Sequence, residues 1–188
     1  MRLKLPKRNA AWWIIRSGSA MISDKSRRAA FEKLLDCYKS GFCISPAASA
    51  HHHNFAGGLA IHTAEVMEHA LELRQRFSSS LSDIPAGSVY IAAVLHDLPK
   101  IKQYMPNPMS HSVRKFEFVY DKSWDFEPDI WTISEAARFG LQLTYDEMMG
   151  IVQAHGGWSK MRDPVSRLGA LIHIADMISS QITWKGGK

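Results

Sequence analysis

The sequence is short of several things that would have classified it at once. It has two cysteines in 188 residues, Cys37 and Cys43. They form neither a CxxC pair nor a disulfide framework, so a cysteine-rich secreted scaffold and a Cys-type zinc site are excluded, and the cytoplasm is the expected compartment. No apolar run approaches the roughly 18 residues of a membrane span. The six apolar residues from Ala10 to Ile15 follow basic ones but are too few for a signal peptide. There is no Walker loop and no GxGxxG turn. Acids are scarce at the N-terminus: residues 1–40 carry ten Lys/Arg against three Asp/Glu, a net of +7, whereas the remaining residues net −2. That segment suits a phosphate-rich partner, or it is a solvated basic arm. At 46% hydrophobic and 22% charged, the composition is that of an ordinary globular chain, long enough for one domain and short for two.

What is present is histidine. Five of nine, His51, His52, His53, His62 and His69, fall within nineteen residues. The hydrophobic pattern is helical. Ala30, Phe31, Leu34, Leu35 and Tyr38 follow i, i+3, i+4 spacing after Ser26, a candidate N-cap, and Gly41, Ser45 and Pro46 are expected to break that helix. Gly57-Gly58 opens a long helix to about Phe77, and the Ser-rich stretch to Gly87 reads as a loop. A further apolar helix runs from Ser88 to about Leu98, ended or kinked by Pro99. Residues 116–120 suit a short strand or hairpin arm. Helix returns over about 128–139. Thr144 and Glu147 make a capping box before a helix reaching His155. Asp163-Pro164 opens a last helix to about Ile182. The expectation is an all-α bundle of six or seven helices, with a short hairpin around 103–120. Residues 1–25 form a basic segment packing on a domain of residues 26–188. In Trp12-Trp13-Ile14-Ile15, packing is the ordinary role and stacking on a base the alternative.

Four helical places carry metal-type ligands: His62, the dyad His96-Asp97, His155 and Asp176. Asp97 and Asp176 lie among apolar residues, where a carboxylate without a cation, donor or metal is costly. Adjacent helical residues point about 100° apart, so the dyad can share one ion only if the helix ends there, and Pro99 gives it a reason to end. Imidazole with carboxylate suits Zn, Mn, Fe, Co or Ni, with Mg a weaker fit.

The order His62, His96-Asp97, Asp176 resembles the H…HD…D signature of the HD-domain metal-dependent phosphohydrolases. Leu95-His96-Asp97-Leu98-Pro99-Lys100 is close to the family's LHDxGK. His51 to Thr63, HHHNFAGGLAIHT, is similar to the HH…GGLxxHT segment of a branch with HD-type 3′-to-5′ exoribonucleases and domains of some relaxases. The likeness covers roughly residues 45–183. It implies a compact HD-domain helical bundle whose His62, His96, Asp97 and Asp176 hold one divalent transition ion. Many two-metal members carry another histidine between the dyad and the His155 position; residues 116–133 have none, and His111 has the wrong setting.

By the same resemblance the protein is a phosphohydrolase. An ion in that set would acidify a bound water for attack on phosphorus. Lys100 would meet substrate phosphate as a point charge, unless it is a solvated helix-end lysine. His155 would help, or would simply cap its helix. Asp97, Lys100 and His155 are therefore the catalytic candidates. Lys100, Arg114, Lys115 and one histidine of the run, His52 or His53, are candidates for the substrate; we take His53. His173, one turn before Asp176, is expected to pack or to support that aspartate, and His69 to lie in or near the core. The leading substrate is a (deoxy)nucleoside mono- or triphosphate, because nucleic-acid-directed relatives often carry a separate binding domain. The alternatives are a 3′-5′ exonuclease on single strands and a non-catalytic metal-binding regulatory module. A homo-oligomer is compatible with all three, and no membrane partner is expected.

Overall fold

Two long helices and one apolar helix form the centre of the molecule. A computed structural model of the chain describes residues 8–49, 51–107, 118–124, 127–156 and 166–184. Helix α1 (Arg8–Ser17) leads through a 3-10 turn (Gly18–Met21) to α2 (Lys25–Ile44). The cap of α2 is Asp24 rather than Ser26. Its carboxylate accepts from the Ser26 and Arg27 amides at 2.8 and 3.0 Å and from the Ser26 hydroxyl as well, and a charged acceptor is the stronger cap. Nor does Gly41 break α2. It lies within the helix because a side chain there would meet Ile101 Cγ2 at 2.3 Å, so the glycine admits a neighbour and does not end a turn.

Helix α3 (Gly58–Arg76) follows, then a short α4 (Ser78–Leu81) in the stretch expected to be loop. Helix α5 (Ala86–Leu95) is apolar all round and buried from Gly87 onward, as a central helix must be. A single turn, α6 (Lys100–Gln103), feeds strand β1 (Tyr104–Pro106), which pairs antiparallel with β2 (Phe118–Tyr120) in the register Tyr104 to Tyr120. This is the hairpin foreseen around 103–120. Helix α7 (Pro128–Arg138) ends before Gly140, and α8 (Tyr145–Val152) begins with the Thr144–Glu147 capping box. Helix α9 (Arg167–Met177) is capped by Ser166 and passes into a π-helical turn (Ile178–Thr183). The proposed opening at Asp163-Pro164 lies outside the described residues.

Helix α3 packs against α1, α5 and α9, and α8 packs against α5 and α9. Phe31, Leu34, Leu35, Leu59, Tyr90, Leu95 and Ile172 fill the space between them. Helix α1 contributes Trp12 and Ile15 to this core, while Trp13 is 65% exposed, so the two tryptophans have different roles. Glu147 is fully buried yet satisfied: it accepts from Arg27 Nη2 at 2.5 Å, Ser88 Oγ at 2.8 Å and the Thr144 amide at 2.8 Å. Among the described residues no helix is long and apolar enough to cross a membrane.

Candidate metal centre

Three packed segments bring the ligand-type residues together. His62 sits one turn into α3. The start of that helix is set by Gly57 in the left-handed region (φ 84) and by Gly58, where a Cβ would lie 2.0 Å from the His53 carbonyl oxygen. Helix α5 ends at Leu95, and its bonding tightens there from His96 N to Ala92 O into three-residue turns, Leu98 N to Leu95 O and Lys100 N to Asp97 O. The dyad thus stands on the helix-ending turn, which frees His96 and Asp97 from the divergence of a regular helix. Asp176 comes from the last turn of α9.

The side chains converge. His62 Nε2 is 3.2 Å from Asp97 Oδ2 and 3.1 Å from Asp176 Oδ1; His96 Nε2 is 3.5 Å from Asp97 Oδ2. His62, His96 and Asp97 are buried and Asp176 nearly so. Despite the short distances, His62 Nε2 and His96 Nε2 make no aligned hydrogen bond. Buried polar atoms are rarely left that way. The opposite nitrogen of each ring is held within the protein: His62 Nδ1 is 2.9 Å from Ser179 Oγ, and His96 Nδ1 donates to the Ala93 carbonyl at 2.7 Å. A carbonyl only accepts, so His96 carries its proton on Nδ1 and turns the Nε2 lone pair inward. Inward lone pairs with outer nitrogens tied down are what a metal-binding histidine requires. The donor set fits a divalent ion. His62, His96 and Asp176 offer three ligand atoms close enough to share one, as do His96, Asp97 and His155.

Electrostatics follow the same crowding. Burial would lower the His62 pKa, but the Asp176 and Asp97 carboxylates outweigh it and raise it to about 9. Burial pushes His96 down to about 4. Burial would raise both carboxyls; Lys100 and His96 beside Asp97, and His62 beside Asp176, instead hold them below their usual range.

Lys100 reaches inward. Its Nζ lies 2.7 Å from Asp97 Oδ2 and its side chain is 16% exposed, so it is not a solvated helix-end lysine. His155 stands on the other carboxylate oxygen, Nε2 3.0 Å from Asp97 Oδ1. It lies beyond the end of α8, in the turn after Val152. His173 does not support Asp176: its Nδ1 donates to the Ala154 carbonyl at 2.8 Å and its ring backs Gly156, which steadies the His155 turn instead. His53 is fully buried, with Nε2 3.4 Å from Glu65 and Nδ1 3.2 Å from His52 Nδ1. The partly exposed His52 ring lies 4.7 Å from that of His62, and burial holds its pKa down to about 3. His69 is half-buried, 3.9 Å from Glu72. Arg114 and Lys115 lie outside the described residues. Three residues here were missed by sequence reasoning. Glu65 and Ser179 stand behind His62, and Asp129, half-buried on α7, feels the charges of His155 and Asp97 while burial raises its pKa. Their one sequence signal is weak: Glu65 follows His62, and Ser179 follows Asp176, by three residues.

Among curated proteins the chain is similar to the 3′-5′ exoribonuclease YhaM of Listeria welshimeri, 24% identical over 157 residues, which are 79% of this chain and 47% of the relative. It is similar to the same-named proteins of Oceanobacillus iheyensis (26% over 155 residues, 79% and 46%) and Shouchella clausii (25% over 163 residues, 79% and 46%). These relatives form an HD-domain family. The chain is similar to them at 24–26% identity, consistent with the HD-domain resemblance of its motifs. It spans about half the length of the curated proteins it matches. No protein-family model and no solved structure matches it.

Proposed function

We propose that this HD-type chain is a metal-dependent phosphodiesterase that shortens single-stranded nucleic acid from its 3′ end. The observation that carries the proposal is the similarity to 3′-5′ exoribonucleases over 79% of the chain, in a chain whose fold gathers a buried His/Asp set fit for a divalent ion. This reverses the ordering expected from sequence, in which a mononucleotide led and the strand was the alternative.

His62, His96, Asp97 and Asp176 would hold the ion, with Zn, Mn, Co, Ni or Fe favoured over Mg by the mixed imidazole and carboxylate donors. When bound, such an ion supplies Lewis acidity and lowers the pKa of water. The chain's own residues do the rest. Lys100, buried beside Asp97, presents a fixed positive charge to the scissile phosphate; His155, at the more open edge, would turn its Nε2 from Asp97 Oδ1 to a phosphoryl oxygen when substrate enters. Both offset the charge that grows on phosphorus-bound oxygens as water adds and the P–O3′ bond breaks. The proton from water ends on the departing 3′ oxygen, leaving a nucleoside 5′-monophosphate and a shortened strand. Arg114 and Lys115 remain candidates for neighbouring phosphates, and cytoplasmic location remains the expectation.

The test is a 5′-labelled single strand and a nucleotide panel, each with Mn, Co, Ni, Zn and Mg. Stepwise shortening with release of 5′-monophosphates is expected. Hydrolysis of mononucleotides beside an inert strand would restore the nucleotidase reading. Tight metal binding with neither substrate turned over would favour the regulatory module.

A further inference from the structure

One short segment of chain flanks both nitrogens of His62. Asp176 Oδ1 lies 3.1 Å from its Nε2, and Ser179 Oγ, three residues on, lies 2.9 Å from its Nδ1. Between them, at Ile178, the winding changes from α to π, a local device often found at functional sites. Ser179 is completely buried, and its hydroxyl donates to Glu65 Oε2 at 2.7 Å. Thr183 Oγ1, from the same π turn, lies 3.3 Å from that oxygen and 3.2 Å from the Ser179 carbonyl.

We infer that Ser179 and Glu65 are positioning residues that fix the tautomer and ring orientation of His62. A serine hydroxyl has one proton. Here it is committed to Glu65, so Ser179 Oγ must accept from His62 Nδ1–H. The neutral ring is then left with its lone pair on Nε2, facing Asp97 and Asp176. Without Glu65 the hydroxyl is free to rotate and donate to Nδ1, which would place the proton on Nε2 and close the inward site. Glu65 therefore acts on His62 through Ser179.

The inference rests on His62 holding an ion, and cobalt binding separates the two questions. Co(II) would be titrated into metal-free protein, with dissociation constants and visible spectra recorded, and far-UV circular dichroism and the thermal midpoint as controls. Ser179→Ala and Glu65→Ala should each weaken Co(II) binding about 10–100-fold and shift the visible band. Glu65→Gln, whose amide oxygen still accepts the serine proton, should stay within about threefold of wild type. Folded alanine variants with wild-type affinity and spectrum would overturn the inference, as would equal losses in Glu65→Gln and Glu65→Ala. The Glu65 pair keeps the test decisive if Ser179→Ala does not fold. A wild-type chain that binds no Co(II) would remove the metal reading itself.

Discussion

Lys100→Met separates two roles that one ammonium could fill. Its Nζ stands 2.7 Å from Asp97 Oδ2 in a largely buried site, where it either presents charge to a substrate phosphate or simply balances Asp97. Methionine keeps the length and apolar stem but removes the charge. A charge-assisted contact to phosphate is worth about 1.5–3 kcal/mol, so kcat/KM on a single strand should fall roughly 10–150-fold. Metal affinity should move the other way or not at all, because a cation no longer stands beside a ligand oxygen. Asp97 still faces His62, His96 and His155, so its orientation should survive. Steady-state kinetics at saturating Mn, paired with Co(II) titration, reads both quantities. Wild-type kcat/KM would refute the phosphate contact. A tenfold loss of Co(II) affinity in folded protein would show that Lys100 orients Asp97 instead.

Elemental analysis should find close to one transition ion per chain in the wild type and none in Asp97→Ala, with activity lost; two tight ions would show that His155 and its side of Asp97 hold a second. Metal binding should strengthen with pH. With its pKa raised to about 9, His62 must lose a proton to bind, whereas His96 near 4 is already neutral; one proton competes, so apparent affinity should rise about 50-fold from pH 7 to 9. A flat profile in that interval would contradict it. Glu147→Ala strips a buried acceptor from Arg27, Ser88 and the Thr144 amide and should cost about 3 kcal/mol in urea unfolding; a loss below about 1 kcal/mol would mean that water replaces the carboxylate.

The gross fold and the convergence of His62, His96, Asp97 and Asp176 were legible because each has a local cause. Pro99 and the apolar run before it announce that α5 ends at the dyad, and Thr144 with Glu147 announces the start of α8. The N-cap of α2 was misplaced by two residues because Asp24 and Ser26 are both good caps, and only their mutual hydrogen bond ranks them. Gly41 looked like a stop because its reason is Ile101, sixty residues on. His173 shares a helical face with Asp176 but is claimed by the Ala154 carbonyl of another segment. Ser179 and Glu65 were invisible for the same reason. A serine and a glutamate three residues from a ligand are ordinary on any helix, and only the packing of α3 against α9 and its π turn gives them a common partner.

The loop before α3 changes what its motif can report. Gly57 is required by a positive φ and Gly58 by a carbonyl that leaves no room for a methyl group. Neither requirement involves the proposed chemistry. A descendant that had lost every ligand would still need both glycines to start this helix. Among divergent relatives, then, the two glycines track descent of the scaffold. On the proposed function, the states of positions 62, 96, 97 and 176 would distinguish a working copy from one retained for some other purpose, and a search weighted toward the glycine segment would gather both kinds.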